Sequence, residues 1–87
     1  MRYRIEYRKS VDKEIRKLPE GVRRTIVTAI LILGEDPYPN GVTKLRGSER
    51  TYRIRQGDYR IIYEIHDTHL VVEVVKVGHR RDVYRKF

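Results

Sequence analysis

The residue pattern predicts an α+β fold: an N-terminal strand, a two-helix hairpin, then an antiparallel three-strand meander. The helices pack on one sheet face and a short basic tail follows. Three observations carry this expectation. Apolar residues alternate at both ends of the chain, they recur at helical spacing between those ends, and Gly57-Asp58 separates two alternating stretches as a two-residue hairpin loop does. The 87 residues suffice for one core and not for two, so a single domain over 1–87 is expected.

Residues 2–7 alternate, with Tyr3, Ile5 and Tyr7 on one side and Arg2, Arg4 and Glu6 on the other, which reads as a strand with one buried face. Ser10 is the expected cap of the first helix, and Asp12 in its first turn suits the helix dipole. Val11, Ile15 and Leu18 form that helix's apolar stripe, and Pro19-Glu20-Gly21 breaks it. Val22, Ile26, Ala29, Ile30 and Leu33 form the stripe of a second, longer helix expected to end at Gly34. Residues 38–50 read as an irregular basic loop carrying Lys44, Arg46 and Arg50. Strands are expected at about 51–56, 59–66 and 69–77, and the tail G-H-R-R-D-V-Y-R-K-F closes the chain.

The turns set a register. A Gly57-Asp58 loop places Gln56 opposite Tyr59, Arg55 opposite Arg60, Ile54 opposite Ile61 and Arg53 opposite Ile62. A second loop at Asp67-Thr68 would place Ile61 opposite Val74, Tyr63 opposite Val72 and Ile65 opposite Leu70. One face then collects Tyr52, Ile54, Ile61, Tyr63, Ile65, Leu70, Val72 and Val74 as the core. The other carries Arg53, Arg55 and Arg60 among Ile62, Val71, Glu73 and Val75, with Glu73 able to neutralise one arginine. Guanidinium groups held on rigid strands match a phosphodiester by their bidentate donor fork. The competing reading is a set of splayed, solvated surface side chains. A chain leaving the last strand can fold back over the open face, bringing Arg80 and Tyr84 to the arginines, while His79 has the competing reading of a surface or partly buried imidazole with no chemistry.

Charge supports an anionic partner. The chain has 20 Lys+Arg against 12 Asp+Glu, a net charge of +8. It has no cysteine, which excludes disulfide and thiolate chemistry and fits a cytosolic setting. The first ten residues lack the apolar stretch of a signal peptide, and the longest apolar run, Ala29–Leu33, falls far short of the ~18 residues a span requires. A soluble, cytoplasmic protein with no membrane association is expected. One Asn, one Gln and 37% charged residues lean towards a thermophilic source. His66 and His69 read as surface residues flanking a turn, without the clustered spacing of a metal site, so no metal or cofactor is expected.

The loop D-P-x-P-x-G-x-x-K-L-R-G, the hairpin Y-R-I-R-x-G-D-Y-R-I-I-Y and the ending V-G-H-R-R-D-V-Y resemble the RelE/ParE superfamily of toxins, from Tyr3 to Tyr84. One branch of that family is implied to cut messenger RNA in the ribosomal decoding site, and the other to poison DNA gyrase. The resemblance implies the ribonuclease branch, because basic residues stand at Arg53, Arg55, Arg60 and Arg80 and a tyrosine at Tyr84. Arg46 joins them by resemblance as an RNA contact, and Lys44, Arg50, His79, Arg81 and Arg85 complete the expected RNA-binding set. The implied partners are a cognate acidic antitoxin (RelB-like) in a hetero-oligomer, the ribosome and its message.

Metal-free cleavage needs a base for the 2′-hydroxyl, charge stabilisation at phosphorus and a proton for the leaving 5′-oxygen. Arg60 is expected on the phosphate, Arg53 and Arg55 along the backbone, and Arg80 at the leaving oxygen. Family members best known for this activity carry lysines at the positions of Arg53 and Arg55. A lysine can lose its proton and serve as base, whereas arginine stays charged. Tyr84 is then the expected base, with His79 in reserve. Two alternatives stay open at this level: a gyrase inhibitor of the same fold, and an inactivated member that binds only RNA or antitoxin.

Overall fold

The computed structural model describes residues 2–83. In chain order the elements are β1 (Arg4–Tyr7), α1 (Lys9–Arg16), α2 (Glu20–Glu35), β2 (Thr43–Lys44), β3 (Thr51–Gln56), β4 (Tyr59–His66) and β5 (Val71–His79). The sheet order is β1-β5-β4-β3-β2, with β1 parallel to β5 and the other pairs antiparallel. The expected α+β architecture is present, with one strand more than the pattern announces. The stretch read as an irregular loop contributes β2, which pairs Thr43 with Arg53 and Lys44 with Tyr52. Two residues are too short for alternation to show.

Both helices start earlier than their local signals suggest. Ser10 does not cap α1; Arg8 holds the cap position without a side-chain bond. The cause is tertiary: the Arg8 N–H donates to the Val74 carbonyl at 3.0 Å, so strand pairing continues to residue 8 and the helix must begin directly after it. Glu20 and Gly21 belong to α2, because Pro19 takes its cap position and its carbonyl accepts the Arg23 N–H at 2.8 Å. The α2 helix ends at Glu35, not at Gly34. Gly34 is instead where the helix touches β1: an added Cβ would lie 3.1 Å from the Tyr3 carbonyl oxygen, and the Gly34 carbonyl accepts the Tyr3 N–H at 2.7 Å.

Ile26, Ile30 and Leu33 of α2 and Val11 of α1 bury fully against Ile61, Tyr63, Val72 and Val74 of the sheet. Apolar area removed from water on this face is the main stabilising contribution. No helix among the described residues is long and apolar enough to cross a membrane.

The two hairpins of the meander differ. The β3–β4 register agrees with the expectation at all four predicted pairs, and Gly57 adopts φ +59° in its turn. The β4–β5 register departs from it. Ile61 lies opposite Val77, Tyr63 opposite Val74 and Ile65 opposite Val72, with a bulge between Ile62 and Tyr63. The loop runs over Asp67–Leu70, and Leu70 sits in the left-handed region at φ 54° rather than in the core. Asp67 is held from outside the hairpin: the Tyr3 hydroxyl donates to Oδ1 at 2.6 Å and the Tyr38 hydroxyl to Oδ2 at 2.9 Å. These bonds keep its carboxyl below the usual carboxylate range, Tyr3 first and Tyr38 second.

Candidate nucleic-acid interface

Alternation sends Arg53, Arg55 and Arg60 to the sheet face away from the helices. Arg55 and Arg60 are directly paired across β3 and β4, a like-charge opposition that costs some tenths of a kcal/mol. The Arg60 guanidinium folds back on the turn, donating through Nη1 to the Gly57 carbonyl at 3.1 Å and to the Tyr59 carbonyl at 3.0 Å. Arg53 is half-buried and its Nη2 donates to Thr43 Oγ1 at 3.2 Å, so the short β2 strand orients it. Arg53 and Arg55 also line a cavity of about 360 Å³ with Asn40, Gly41, Thr43 and Ile54.

The chain after β5 returns to this end of the sheet. The Arg80 N–H donates to the Asp58 carbonyl at 2.7 Å, and its Nε lies 3.8 Å from the Asp58 carboxylate. Val83 is fully buried in a small second core with Ile62, Val75 and the partly buried Leu45. That apolar seat returns the tail over the open face. The structure thus brings Arg55, Arg60 and Arg80 to the tip of one hairpin, with Arg53 two cross-strand pairs further along. Tyr84 and Arg85 lie outside the described residues.

Other predicted positions are elsewhere. His79 pairs with Tyr59, its ring 5.5 Å from the tyrosine ring, and Tyr59 packs on the helix-covered core. The imidazole is therefore on the wrong side of the sheet to serve as reserve base beside Arg60, and its Nδ1 accepts the Arg81 N–H at 3.2 Å. Lys44 is opposite Tyr52 and so leaves β2 on the helix side of the sheet. Arg46 and Arg81 are exposed. Arg50 is at the far end of β4, where its Nη1 lies 3.5 Å from His66 Nδ1.

Two further expectations are corrected at that far end. Glu73 does not neutralise the hairpin arginines. It pairs with Arg8 at 3.4 Å, while Glu64 stands opposite it across the strands and lies 3.7 Å from the same guanidinium. His66 is not an isolated surface residue: its Nε2 is 3.5 Å from both carboxylates, and the three groups offer ligand atoms within 4.8 Å of one another. Residues distant in sequence meet here only through strand pairing. Arg8 already places a positive charge between the two carboxylates.

The site therefore joins cationic donors on rigid strands to a tail held by one buried valine. Comparison with known proteins identifies the family. The family model described as "ParE toxin of type II toxin-antitoxin system, parDE" matches residues 3–84. The chain belongs to the RelE/ParE superfamily of type II toxin–antitoxin toxins. Among curated members of that superfamily, toxin RelG of Mycobacterium tuberculosis is 31% identical over 99% of this chain and 100% of its own length. The mRNA interferase toxin RelE of Escherichia coli K12 is 34% identical over 92% of this chain and 85% of its own. Among solved structures, the archaeal RelE–RelB complex from Pyrococcus horikoshii OT3 contains a chain that superposes with TM-score 0.82 at 33% identity, covering 95% of this chain and 100% of that one.

Within this toxin fold, sequence reasoning had overlooked Thr43, which orients Arg53, and Val83, which seats the tail. Val83 had a signal, being an apolar residue inside an otherwise charged run. Thr43 had none, because its role depends on the β2 register.

Proposed function

We propose that this toxin is a RelE-type endoribonuclease that cleaves messenger RNA on the ribosome. The observation that carries this reading is the convergence of Arg55, Arg60 and Arg80 at the β3–β4 hairpin tip, with Arg53 alongside. Like charges are opposed there at a cost to the fold, which is compensated when a polyanion lies across them. In the proposed step the 2′-oxygen bonds to phosphorus as the P–O5′ bond breaks, the 2′-proton passes to a base, and the departing O5′ takes a proton from water. Arg60 and Arg55 stabilise the charge on the non-bridging oxygens, and Arg80 that on the departing oxygen. None of these arginines can act as the base, since a guanidinium keeps its proton. That role is assigned to Tyr84. Requirement for the ribosome follows naturally, because groups of ribosomal RNA can complete a site that lacks a basic lysine.

The same reading includes an antitoxin. Several solved neighbours are complexes of a RelE toxin with a RelB antitoxin. In this chain a groove of about 480 Å³ between α2 and β3 is lined by Ile32, Leu33 and Ile54, with Arg24 and Arg55 among its polar walls. An acidic segment with apolar side chains suits that lining.

Incubation with programmed ribosomes, read by primer extension, tests the proposal. Discrete cuts in ribosome-bound message, strongly reduced by Arg60→Ala, are expected. Intact message together with inhibition of gyrase supercoiling would overturn it in favour of a gyrase poison.

A further inference from the structure

The β4–β5 bulge does more than interrupt a ladder. Tyr63 lies opposite Val74 and Ile62 opposite Lys76, so Val75 is an extra residue on β5. Strict alternation from Val72 and Val74 would send Lys76 and Gly78 to the helix-covered face, and Val77 and His79 to the arginine face. The bulge reverses that phase. Val77 joins the main core at 2% exposure, His79 comes beside Tyr59, and Gly78 comes opposite Arg60. Val75 turns under Val83 in the second core. A Cβ on Gly78 would lie 3.8 Å from that of Val83, so the residue opposite Arg60 is one with no side chain to compete for the space.

A single carboxylate serves the two residues that follow the extra one. The β1 strand ends at Tyr7, opposite Val74, so past that point no strand among the described residues covers this edge of β5. Helix α1 takes over: Glu14 Oε1 accepts the Val77 N–H at 2.9 Å, and Oε2 meets the Lys76 ammonium at 2.5 Å. Glu14 and Lys76 are each only 19% exposed, which strengthens a charge-assisted bond relative to one in water.

We propose that Glu14 is a positioning residue for the arginine site: by bonding Val77 it holds the bulge phase that keeps Gly78 opposite Arg60 and Val75 beneath Val83. Its effect on chemistry is indirect, through the seat of the tail and hence through Arg80. The inference rests on the ribonuclease reading for its catalytic consequence, and on hydrogen bonding alone for its structural one.

The variants Glu14→Ala, Glu14→Gln and Lys76→Met separate this role from simple stabilisation. Glu14→Ala removes the acceptor, and its kcat on ribosome-bound message should fall at least about tenfold with little change in KM, as expected for misplaced groups. The amides of Arg80 and Val83 should exchange at least about tenfold faster, while that of Ile30 in α2 keeps its protection. Glu14→Gln retains an acceptor for Val77, and Lys76→Met leaves the Val77 bond in place, so both should stay within about twofold of the parent. Parental kcat in Glu14→Ala overturns the proposal, as does an exchange increase shared evenly by α2, β5 and the tail. If Glu14→Ala does not fold, the unmodified chain still decides. In graded denaturant the amides of Val77, Arg80 and Val83 should open together, before Ile30, and separate openings overturn the coupling. A parent that cuts no message defeats the ribonuclease reading alone, because the exchange measurements stand without it.

Discussion

The two faces of the sheet are built on opposite economies of interaction. The helix-covered face buries Ile26, Ile30, Leu33, Ile61, Tyr63, Val72 and Val74, and the Tyr63 hydroxyl is satisfied by the Pro37 carbonyl at 2.8 Å. The other face buries a smaller apolar group, Ile62, Val75 and Val83, and sets Arg55 against Arg60. One face supplies the stability that lets the other keep like charges together. Substitutions on the first should therefore lower stability, while substitutions on the second should lower activity with little effect on folding.

The largest test of that division is Ile61→Ala. Emptying a fully buried site on the covered face should cost about 2–5 kcal/mol by denaturant titration. Arg60→Ala probes the other face. It should reduce cleavage of ribosome-bound message by about a hundredfold, as loss of one donor to a developing charge does, without lowering the unfolding midpoint. A comparable loss of stability would break the division. Val83→Ala straddles it, since two buried methyl groups are worth about 1.5 kcal/mol and the tail loses its seat. Cleavage and stability should fall together in that variant.

Asp67→Asn sharpens the comparison at the loop end of the sheet. Hydrogen bonds from Tyr3 and Tyr38 hold the Asp67 carboxyl below its ordinary value. A lowered folded pKa contributes stability that is present above the unfolded value of about 3.9 and is lost as pH falls through the folded one. The parent should thus be more stable than Asp67→Asn at neutral pH, and the gap should close in acid. An unfolding midpoint difference independent of pH would remove the carboxylate from the account. The smallest effect expected is from Arg55→Gln, which relieves the opposed charges and should raise stability by a few tenths of a kcal/mol while weakening RNA binding.

Much of this was legible beforehand. The apolar stripes of Val11 and of Ile26, Ile30 and Leu33 show which helical faces bury, since a helix repeats every 3.6 residues whatever covers it. Gly57-Asp58 encodes its hairpin in two residues, and with it the placement of Arg53, Arg55 and Arg60. These are local rules, written within a few positions of the residues they govern. The tertiary structure decided the rest. The loop after β4 is set by hydroxyls of Tyr3 and Tyr38, the bulge is served by Glu14 of α1, and the face of His79 follows from that bulge. A strand's side chains change face with every added residue, so one insertion held by a contact 63 positions away moves a histidine from the arginine face to the core side. Sequence alone determined what lies along each element; the partners that meet across the fold decided which residues share the site.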